Sequence, residues 1–199
     1  MRKKGIIVQR IGIFGGSFNP IHNGHLIVAE EVREKLRLDK VLFLLSFNPP
    51  HKRKVLPYED RKAMLLLAIA GNPYFSLSEI ERERGGKSWT VDTLKDLRKR
   101  YPQDRLFLII GSDQFRELGS WKNPKELFKW AEVWVMRRPG AEIDRRLRRR
   151  FPRVKILNVS QIDIRGRKIR EKIRKGLSVR YLLPEKVYEY ILEKGLFKE

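Results

Sequence analysis

Short apolar runs rich in β-branched residues alternate along this chain with segments in which apolar residues recur every three to four positions. The first pattern is typical of buried strands and the second of helices. We predict strands at residues 6–14, 41–45, 75–80, 106–110, 133–136 and 154–157, and helices at 24–36, 58–70, 90–100, 124–131 and 143–150. Strands that alternate with such helices need crossover connections, which give a parallel sheet covered on both faces. The sequence therefore predicts an α/β fold with a Rossmann-like, doubly wound parallel sheet.

The last part of the chain predicts a C-terminal helical extension. Two helices are expected at residues 167–175 and 184–194, where Pro184 suits the first turn and Gly195 the position after the end. No Ser/Gly linker divides the 199 residues, and 41% of them are hydrophobic, which is enough to bury a core. We therefore predict one domain over residues 1–199, with a Rossmann-like core at about 6–160 and the extension at about 161–199.

Composition excludes several classes of protein. Cysteine is absent, which rules out a thiol nucleophile, a disulfide and a zinc site built from thiolates. The longest apolar stretch, residues 64–70, is much shorter than the roughly 20 residues that cross a membrane, and no signal peptide is recognised. We therefore expect a cytoplasmic protein without a membrane partner.

The chain is strongly basic, with a formal net charge of +21. Residues 137–175 contain 16 basic and 4 acidic residues and so carry +12 of that charge. Nucleic acid, a membrane surface and phosphorylated small molecules all suit this sign as partners. Solvated helix faces, and the enrichment in charged residues reported for heat-adapted proteins, would explain most of these side chains without any partner.

A glycine-rich turn follows the first predicted strand, in the place where an open α/β sheet binds ligands. Gly15 and Gly16 let the backbone turn sharply and approach a ligand closely, although their spacing does not match the G-x-G-x-x-G fingerprint. His22 and His25 follow three positions apart at the predicted start of a helix, which puts both imidazoles on one face. A metal site would need a third ligand that the neighbouring sequence does not offer. Phosphate binding at the helix N-terminus is the favoured interpretation.

The segment Gly15-Gly16-Ser17-Phe18-Asn19-Pro20-Ile21-His22-Asn23-Gly24-His25 resembles a known signature, the H-x-G-H motif of the nucleotidyltransferase superfamily. More closely, it resembles the bacterial nicotinate-nucleotide adenylyltransferases, and further matches follow along almost the whole chain. The resemblance implies an enzyme that joins nicotinate mononucleotide to the adenylyl group of ATP on the way to NAD. It also implies that ATP is bound by Gly15, Gly16, Ser17, Phe18, His22 and His25.

Three later segments are similar to the family's mononucleotide site. The first follows the second predicted strand, the second opens the helix at residue 90, and the third contains a tryptophan that would stack on the nicotinate ring. By this resemblance the mononucleotide is bound by Asn48, His51, Lys52, Thr90, Trp121 and Lys122. The Thr90 hydroxyl is also suited to capping the helix that it opens.

The remaining matches concern ATP. The resemblance assigns ATP contacts to Gly111, Asp113, Arg138, Ile169 and Arg170, and Asp113 is also suited to capping the next helix. The chain departs from the family in one place: aligned on Ile169-Arg170, a Ser-Ser-Thr triplet is replaced by Arg165-Gly166-Arg167. Hydroxyls that would bond to phosphate are lost there, and guanidiniums that can do so through charge are gained.

The resemblance thus implies that His22, His25, Lys52 and Arg170 are the catalytic residues and that Mg²⁺ is held mainly by the substrate phosphates rather than by protein ligands. ATP and nicotinate mononucleotide are the expected partners, and a homo-oligomer is left open. The alternative acceptors are nicotinamide mononucleotide and phosphopantetheine. A nucleic-acid-binding protein is a remote alternative, because Phe151 is the one aromatic residue within the basic stretch 137–175 and base stacking needs more.

Overall fold

Six parallel strands form the centre of the fold in the computed structural model, which describes residues 7–50, 55–137 and 143–198. The strands are β1 (Arg10–Gly16), β2 (Lys40–Leu45), β3 (Phe75–Ser78), β4 (Arg105–Gly111), β5 (Glu132–Arg137) and β6 (Lys155–Asn158). Their order across the sheet is β3-β2-β1-β4-β5-β6, and every neighbouring pair is parallel. The order reverses at β1, so the crevice beside the carboxyl end of β1 is where such a sheet binds ligands. The predicted Rossmann-like fold is confirmed.

Helices cover both faces of the sheet. They are α1 (Asn23–Lys35), α2 (Tyr58–Ile69), α3 (Ile80–Arg84), α4 (Thr90–Arg100), α5 (Ser112–Glu117), α6 (Leu127–Trp130), α7 (Arg145–Arg150), α8 (Gly166–Arg174) and α9 (Glu185–Glu193). Short 3-10 turns lie at Leu118–Ser120, Pro124–Glu126 and Arg180–Leu182. In the described part of the chain, none of the helices has the length and apolar character that crossing a bilayer requires.

The core consists of two hydrophobic clusters, one on each face of the sheet, because successive strand residues point to opposite faces. In β2, Phe43 and Leu45 belong to the first cluster, whereas Leu42 and Leu44 belong to the second. The C-terminal extension packs into the first cluster, to which α8 contributes Ile169 and α9 contributes Val187 and Ile191. The Tyr190 hydroxyl of α9 also donates to Asp60 of α2 at 2.9 Å. The C-terminal extension and the sheet therefore share one hydrophobic cluster.

Several predicted boundaries were wrong. β1 begins at Arg10 rather than at residue 6, which lies outside the described residues. The strand predicted at 75–80 ends at Ser78, since Glu79 leaves the extended conformation (φ −98°, ψ 13°) and Ile80 begins α3. The helix predicted from residue 143 begins at Arg145, because the Asp144 carboxylate accepts from the next free amides at 2.7 and 3.1 Å.

Two more differences lie beyond β4. The segment predicted as a helix over 124–131 starts as a 3-10 turn, and its α-helical part covers Leu127–Trp130. The strand predicted from residue 154 begins at Lys155. The helices α3 and α5 were not predicted, because five or six residues are too few to show a helical period.

Candidate functional site

The turn after β1 brings the two predicted histidines together. Their imidazole rings stack with centroids 3.6 Å apart and planes inclined by 19°. His22 precedes α1 in an extended conformation, its main-chain N–H donates to His25 Nδ1 at 3.3 Å, and the His25 N–H donates to the His22 carbonyl at 2.9 Å. The start of α1 is therefore capped by this histidine pair. Both imidazoles lie on one face, as the spacing predicts.

The hydrogen bond from the His22 N–H to His25 Nδ1 indicates which tautomer neutral His25 adopts. A neutral imidazole whose Nδ1 accepts a hydrogen bond carries its proton on Nε2, so neutral His25 has an Nε2–H. Its ring is packed edge-on against the Phe18 ring, with centroids 5.2 Å apart. Phe18 is only 2% exposed, and its backbone is left-handed (φ 43°). Phe18 therefore supports His25 with its ring, and a direct contact with a ligand is left to its main chain.

The glycine between the histidines allows close packing. A Cβ added to Gly24 would lie 3.3 Å from atoms of both Ile162 and Ile164 and 3.2 Å from the His22 ring. The segment before α8 thus lies directly over the first turn of α1. A residue with a side chain at position 24 would push this segment away.

The start of α8 reaches the same turn. The Arg170 guanidinium donates to the Asn19 carbonyl at 2.6 Å, although the two residues are far apart in sequence. Its pKa is lowered, first by burial and then by the like charge of Arg174. Ile169 beside it is fully buried in the core, so its side chain cannot contact a ligand.

The two arginines that replace the family's hydroxyls are engaged with carboxylates. Arg165 pairs with Asp163 and Arg167 pairs with Glu171, each at 2.8 Å. Both guanidiniums are largely exposed, and Gly166 between them has the Asn19 carbonyl 3.3 Å from the place of a Cβ. The start of α8 thus carries positive charge, and its backbone packs closely against the histidine turn.

A second group of predicted residues meets at the start of α4. Asn48 exchanges two hydrogen bonds with Ser88, at 2.9 and 3.0 Å, which joins the loop after β2 to the segment that leads into α4. Thr90 is the first residue of α4, but the cap position is Trp89 and no side chain makes a capping bond, so the predicted capping by Thr90 is wrong. His51 and Lys52, which follow Asn48, lie outside the described residues.

Trp121 and Lys122 approach α4 from the other side. Trp121 follows the 3-10 turn at Leu118–Ser120 and packs, half-buried, against the second hydrophobic cluster. The Lys122 ammonium bonds to Asp92 of α4 at 2.7 Å and lies 5.9 Å from the centre of the Trp89 ring. Four residues predicted for one ligand, Asn48, Thr90, Trp121 and Lys122, are therefore gathered around one helix start.

Gly111 and Asp113 lie where β4 ends. Gln114 accepts from the Gly111 N–H at 3.0 Å, so the predicted capping of α5 by Asp113 is wrong. The Asp113 carboxylate folds back onto Gly111, where one of its oxygens would come within 2.4 Å of an added Cβ. A side chain at position 111 would therefore require the Asp113 carboxylate to turn away. Arg138, predicted after β5, lies outside the described residues.

Sequence reasoning missed two buried charged residues beside these loops. Arg61 of α2 donates to the carbonyls of Ser17 and Ser46, and Glu81 of α3 accepts from the Phe47 N–H and the Thr93 hydroxyl. Arg61 is 2% exposed and Glu81 is 3% exposed. The one available signal was an arginine on the apolar face of a predicted helix.

No group of three or more His, Cys, Asp or Glu side chains could hold a metal ion within residues 7–50, 55–137 and 143–198. In these ranges the His22–His25 pair accordingly has no third side-chain ligand of those types.

Comparison with known proteins gives consistent matches. The family model described as cytidylyltransferase-like matches residues 13–172. A Thermus thermophilus protein named "Probable nicotinate-nucleotide adenylyltransferase" is 43% identical, with 96% of this chain and 100% of the relative covered. A Syntrophotalea carbinolica protein of the same name is 41% identical, with 96% and 98% covered.

Solved structures share the fold. The chain superposes with a TM-score of 0.82 on Plasmodium falciparum nicotinic acid mononucleotide adenylyltransferase complexed with NaAD, at 19% identity, covering 95% of this chain and 97% of that one. A Vibrio parahaemolyticus structure described as a nicotinate-nucleotide adenylyltransferase gives a TM-score of 0.72 at 21% identity, covering 96% and 97%. At these identities the likeness concerns the fold alone.

Proposed function

Because this chain belongs to the nicotinate-nucleotide adenylyltransferase family of cytidylyltransferase-like proteins, we propose that it transfers the adenylyl group of ATP to nicotinate mononucleotide. The products are nicotinate adenine dinucleotide and pyrophosphate, which places the enzyme in NAD biosynthesis. The observation that carries the proposal is the stacked His22–His25 pair at the carboxyl end of β1, with Arg170 of α8 bonded to the same turn.

The reaction is an in-line displacement at phosphorus. A 5′-phosphate oxygen of the mononucleotide forms a bond to the α-phosphorus of ATP, the bond from that phosphorus to the bridging oxygen breaks, and pyrophosphate leaves with the electron pair. No covalent enzyme intermediate is required. Catalysis of this kind depends on positioning the two substrates and on stabilising the charge that develops on phosphate oxygens.

We assign the ATP side to the turn after β1 and to the elements that approach it. The main chain at Gly15–Gly16 and Ser17–Phe18 lets the nucleotide come close, and the Nε2–H of His25 donates to the triphosphate in the transition state, with His22 beside it. Arg170 and Lys52 neutralise phosphate charge. Gly111, Asp113, Arg138 and the main chain at Ile169 complete the ATP contacts.

The mononucleotide side is assigned to the start of α4. Thr90 and the ring of Trp121 hold the pyridine carboxylate end, and the main-chain amide of Lys122 faces the carboxylate. Asn48, His51 and Lys52 form the remaining contacts. The Asn48–Ser88 and Lys122–Asp92 hydrogen bonds support this assignment, since they fix both flanking segments to the same helix start.

Magnesium fits this site as a companion of ATP. The ion prefers oxygen ligands and is commonly held by substrate phosphates together with one or two carboxylates. Asp113 provides a carboxylate at the end of β4, and in the described residues no larger protein donor set competes with it. When bound, Mg²⁺ would neutralise charge on the leaving pyrophosphate.

The choice of acceptor is the sharpest test of the proposal. Purified chain is incubated with ATP and Mg²⁺ and with nicotinate mononucleotide, nicotinamide mononucleotide or phosphopantetheine, and the adenylylated product is quantified. We expect the highest kcat/KM for the nicotinate form, because main-chain amides favour a carboxylate over a carboxamide that differs by one charge. A higher kcat/KM for either alternative acceptor, or no transfer at all, would refute the assignment. The cytoplasmic location expected from the sequence remains a prediction.

A further inference from the structure

A buried arginine stands between the two loops that follow β1 and β2. Arg61, in the first turns of α2, is 2% exposed and heads the set of large, fully buried side chains. Burial lowers the pKa of its guanidinium. Burying a cation costs free energy that an apolar residue would not cost, so an arginine here has to supply something beyond packing.

The hydrogen bonds of Arg61 show what it supplies. Its Nε donates to the Leu56 carbonyl at 2.9 Å, and its Nη1 donates to the carbonyls of Ser17 at 3.1 Å and Ser46 at 2.8 Å. All three acceptors are main-chain atoms in loops. The guanidinium therefore fixes the course of the backbone rather than pairing with a carboxylate.

The two carbonyls lie where the strands β1 and β2 separate. The two strands pair in register as far as Gly16 and Leu45, and the Ser46 N–H still donates to the Gly16 carbonyl at 3.0 Å. Beyond this bond the two chains diverge, one toward the stacked histidines and the other toward Asn48. Nη1 of Arg61 bridges them at this point and sets their separation.

The second loop is bonded at each of its first three residues. Ser46 is bonded to Arg61 of α2, while the Phe47 N–H donates to Glu81 of α3 at 3.3 Å and Asn48 is bonded to Ser88. Glu81 also accepts from the hydroxyl of Thr93 in α4 at 2.8 Å. The loop between the two proposed substrates is thus held by several separate elements, and Arg61 is the group that ties it to the histidine turn.

We propose that Arg61 is a positioning residue, which holds the turn on the ATP side and the loop on the mononucleotide side at the separation needed for in-line transfer. This inference rests on the proposed function. Displacements of about 1 Å in a reacting complex can lower the rate on the order of a hundredfold. Lysine, with a single nitrogen, cannot reproduce the fork that reaches three carbonyls, so the charge alone does not replace it.

The test compares three variants with the wild type. Arg61→Met removes the donors at similar volume, Arg61→Lys keeps the charge, and Ile69→Ala is the control, because Ile69 is buried at the other end of α2 and loses only packing. Tm is measured first, and kcat and both KM values are then measured well below the lowest Tm. We expect Arg61→Met to lower kcat at least about tenfold and Arg61→Lys to be intermediate. Ile69→Ala should lower Tm and leave kcat near the wild-type value.

Hydrogen–deuterium exchange supplies a readout that does not depend on transferase activity. Exchange should accelerate in the segments 15–18 and 46–48 of Arg61→Met, and it should stay unchanged there in Ile69→Ala. Unchanged exchange, or a normal kcat in the folded Arg61 variants, overturns the proposal. A wild type without transferase activity would refute the proposed function instead, and the exchange result would still show whether Arg61 holds the two loops in place. If Arg61→Met does not fold, Arg61→Lys decides it by the same measurements.

Discussion

Replacing His25 tests the stacked-histidine turn most directly, and the structure allows the two ring nitrogens to be tested separately. In His25→Asn the side-chain oxygen takes the place of Nδ1 and can still accept from the His22 N–H, whereas the Nε2–H donor is lost. Losing one preorganised donor to a developing charge costs about 10²–10³ in kcat, or about 2.7–4 kcal/mol. We therefore expect at least a hundredfold lower kcat for His25→Asn.

His25→Asn should change the free energy of unfolding much less than it changes the activation free energy. The bond from the His22 N–H to Nδ1 is long, at 3.3 Å, and a neutral hydrogen bond contributes only about 0.5–1.5 kcal/mol net. Asparagine keeps that bond and loses the stacking contact with the His22 ring and the edge contact with the Phe18 ring. His25→Gln is the matched variant, because its longer amide reaches the position of Nε2 but gives up the Nδ1 bond. It should keep more activity than His25→Asn and unfold at a lower Tm.

Steady-state dinucleotide formation at saturating ATP and mononucleotide measures kcat, and thermal unfolding by circular dichroism measures Tm. Single-turnover kinetics then show whether the loss lies in the chemical step. If His25→Asn retains kcat within about threefold, the Nε2–H does not act on the reacting phosphates, because a loss that small is well below the effect of a catalytic donor. If His25→Asn instead has a higher kcat than His25→Gln, the contact with the reacting phosphates would be assigned to Nδ1.

Two further predictions concern other parts of the chain. Trp121→Ala should raise the KM for nicotinate mononucleotide much more than the KM for ATP, and equal increases in initial-rate measurements would place this ring in the core instead. Glu79 has a pKa lowered from its usual 4.5, first by its hydrogen bond to Lys62, so the pair stabilises the fold above that value and loses its effect as the pH falls through the lowered pKa. Lys62→Met should therefore lower Tm at pH 7, and this decrease should become smaller as the pH falls below 4.5; a decrease in Tm that does not change with pH would contradict the linkage.

The sequence was sufficient for most of the fold because strand and helix periods are local properties. The apolar run that became β4 and the amphipathic segment that became α4 are examples. The boundary at Ser78 was missed, since the departure of Glu79 from the extended conformation leaves no mark in the residue pattern. Capping was also assigned to the wrong residues at Thr90 and Asp113, because several polar residues at a helix start suit the role equally well.

The histidine turn could be predicted from spacing alone, because residues three apart at a helix start lie on the same face. Arg61 and Glu81 could not, since their partners are main-chain atoms of loops distant in sequence. The position of Arg61 on the apolar face of a predicted helix indicates burial, but it does not show which atoms the guanidinium contacts. Their roles became visible only when the ends of β1 and β2 were placed beside α2 and α3.

The contact between Gly24 and the isoleucines before α8 couples two distant stretches of sequence. A relative that carries alanine in place of Gly24 would need smaller residues in place of Ile162 and Ile164 to keep the same distance between α8 and α1. Without that compensation, the segment before α8 would have to shift by a few tenths of an ångström relative to α1. Substitutions at these three positions should therefore occur together among homologues, even though 162 and 164 carry no functional group of their own.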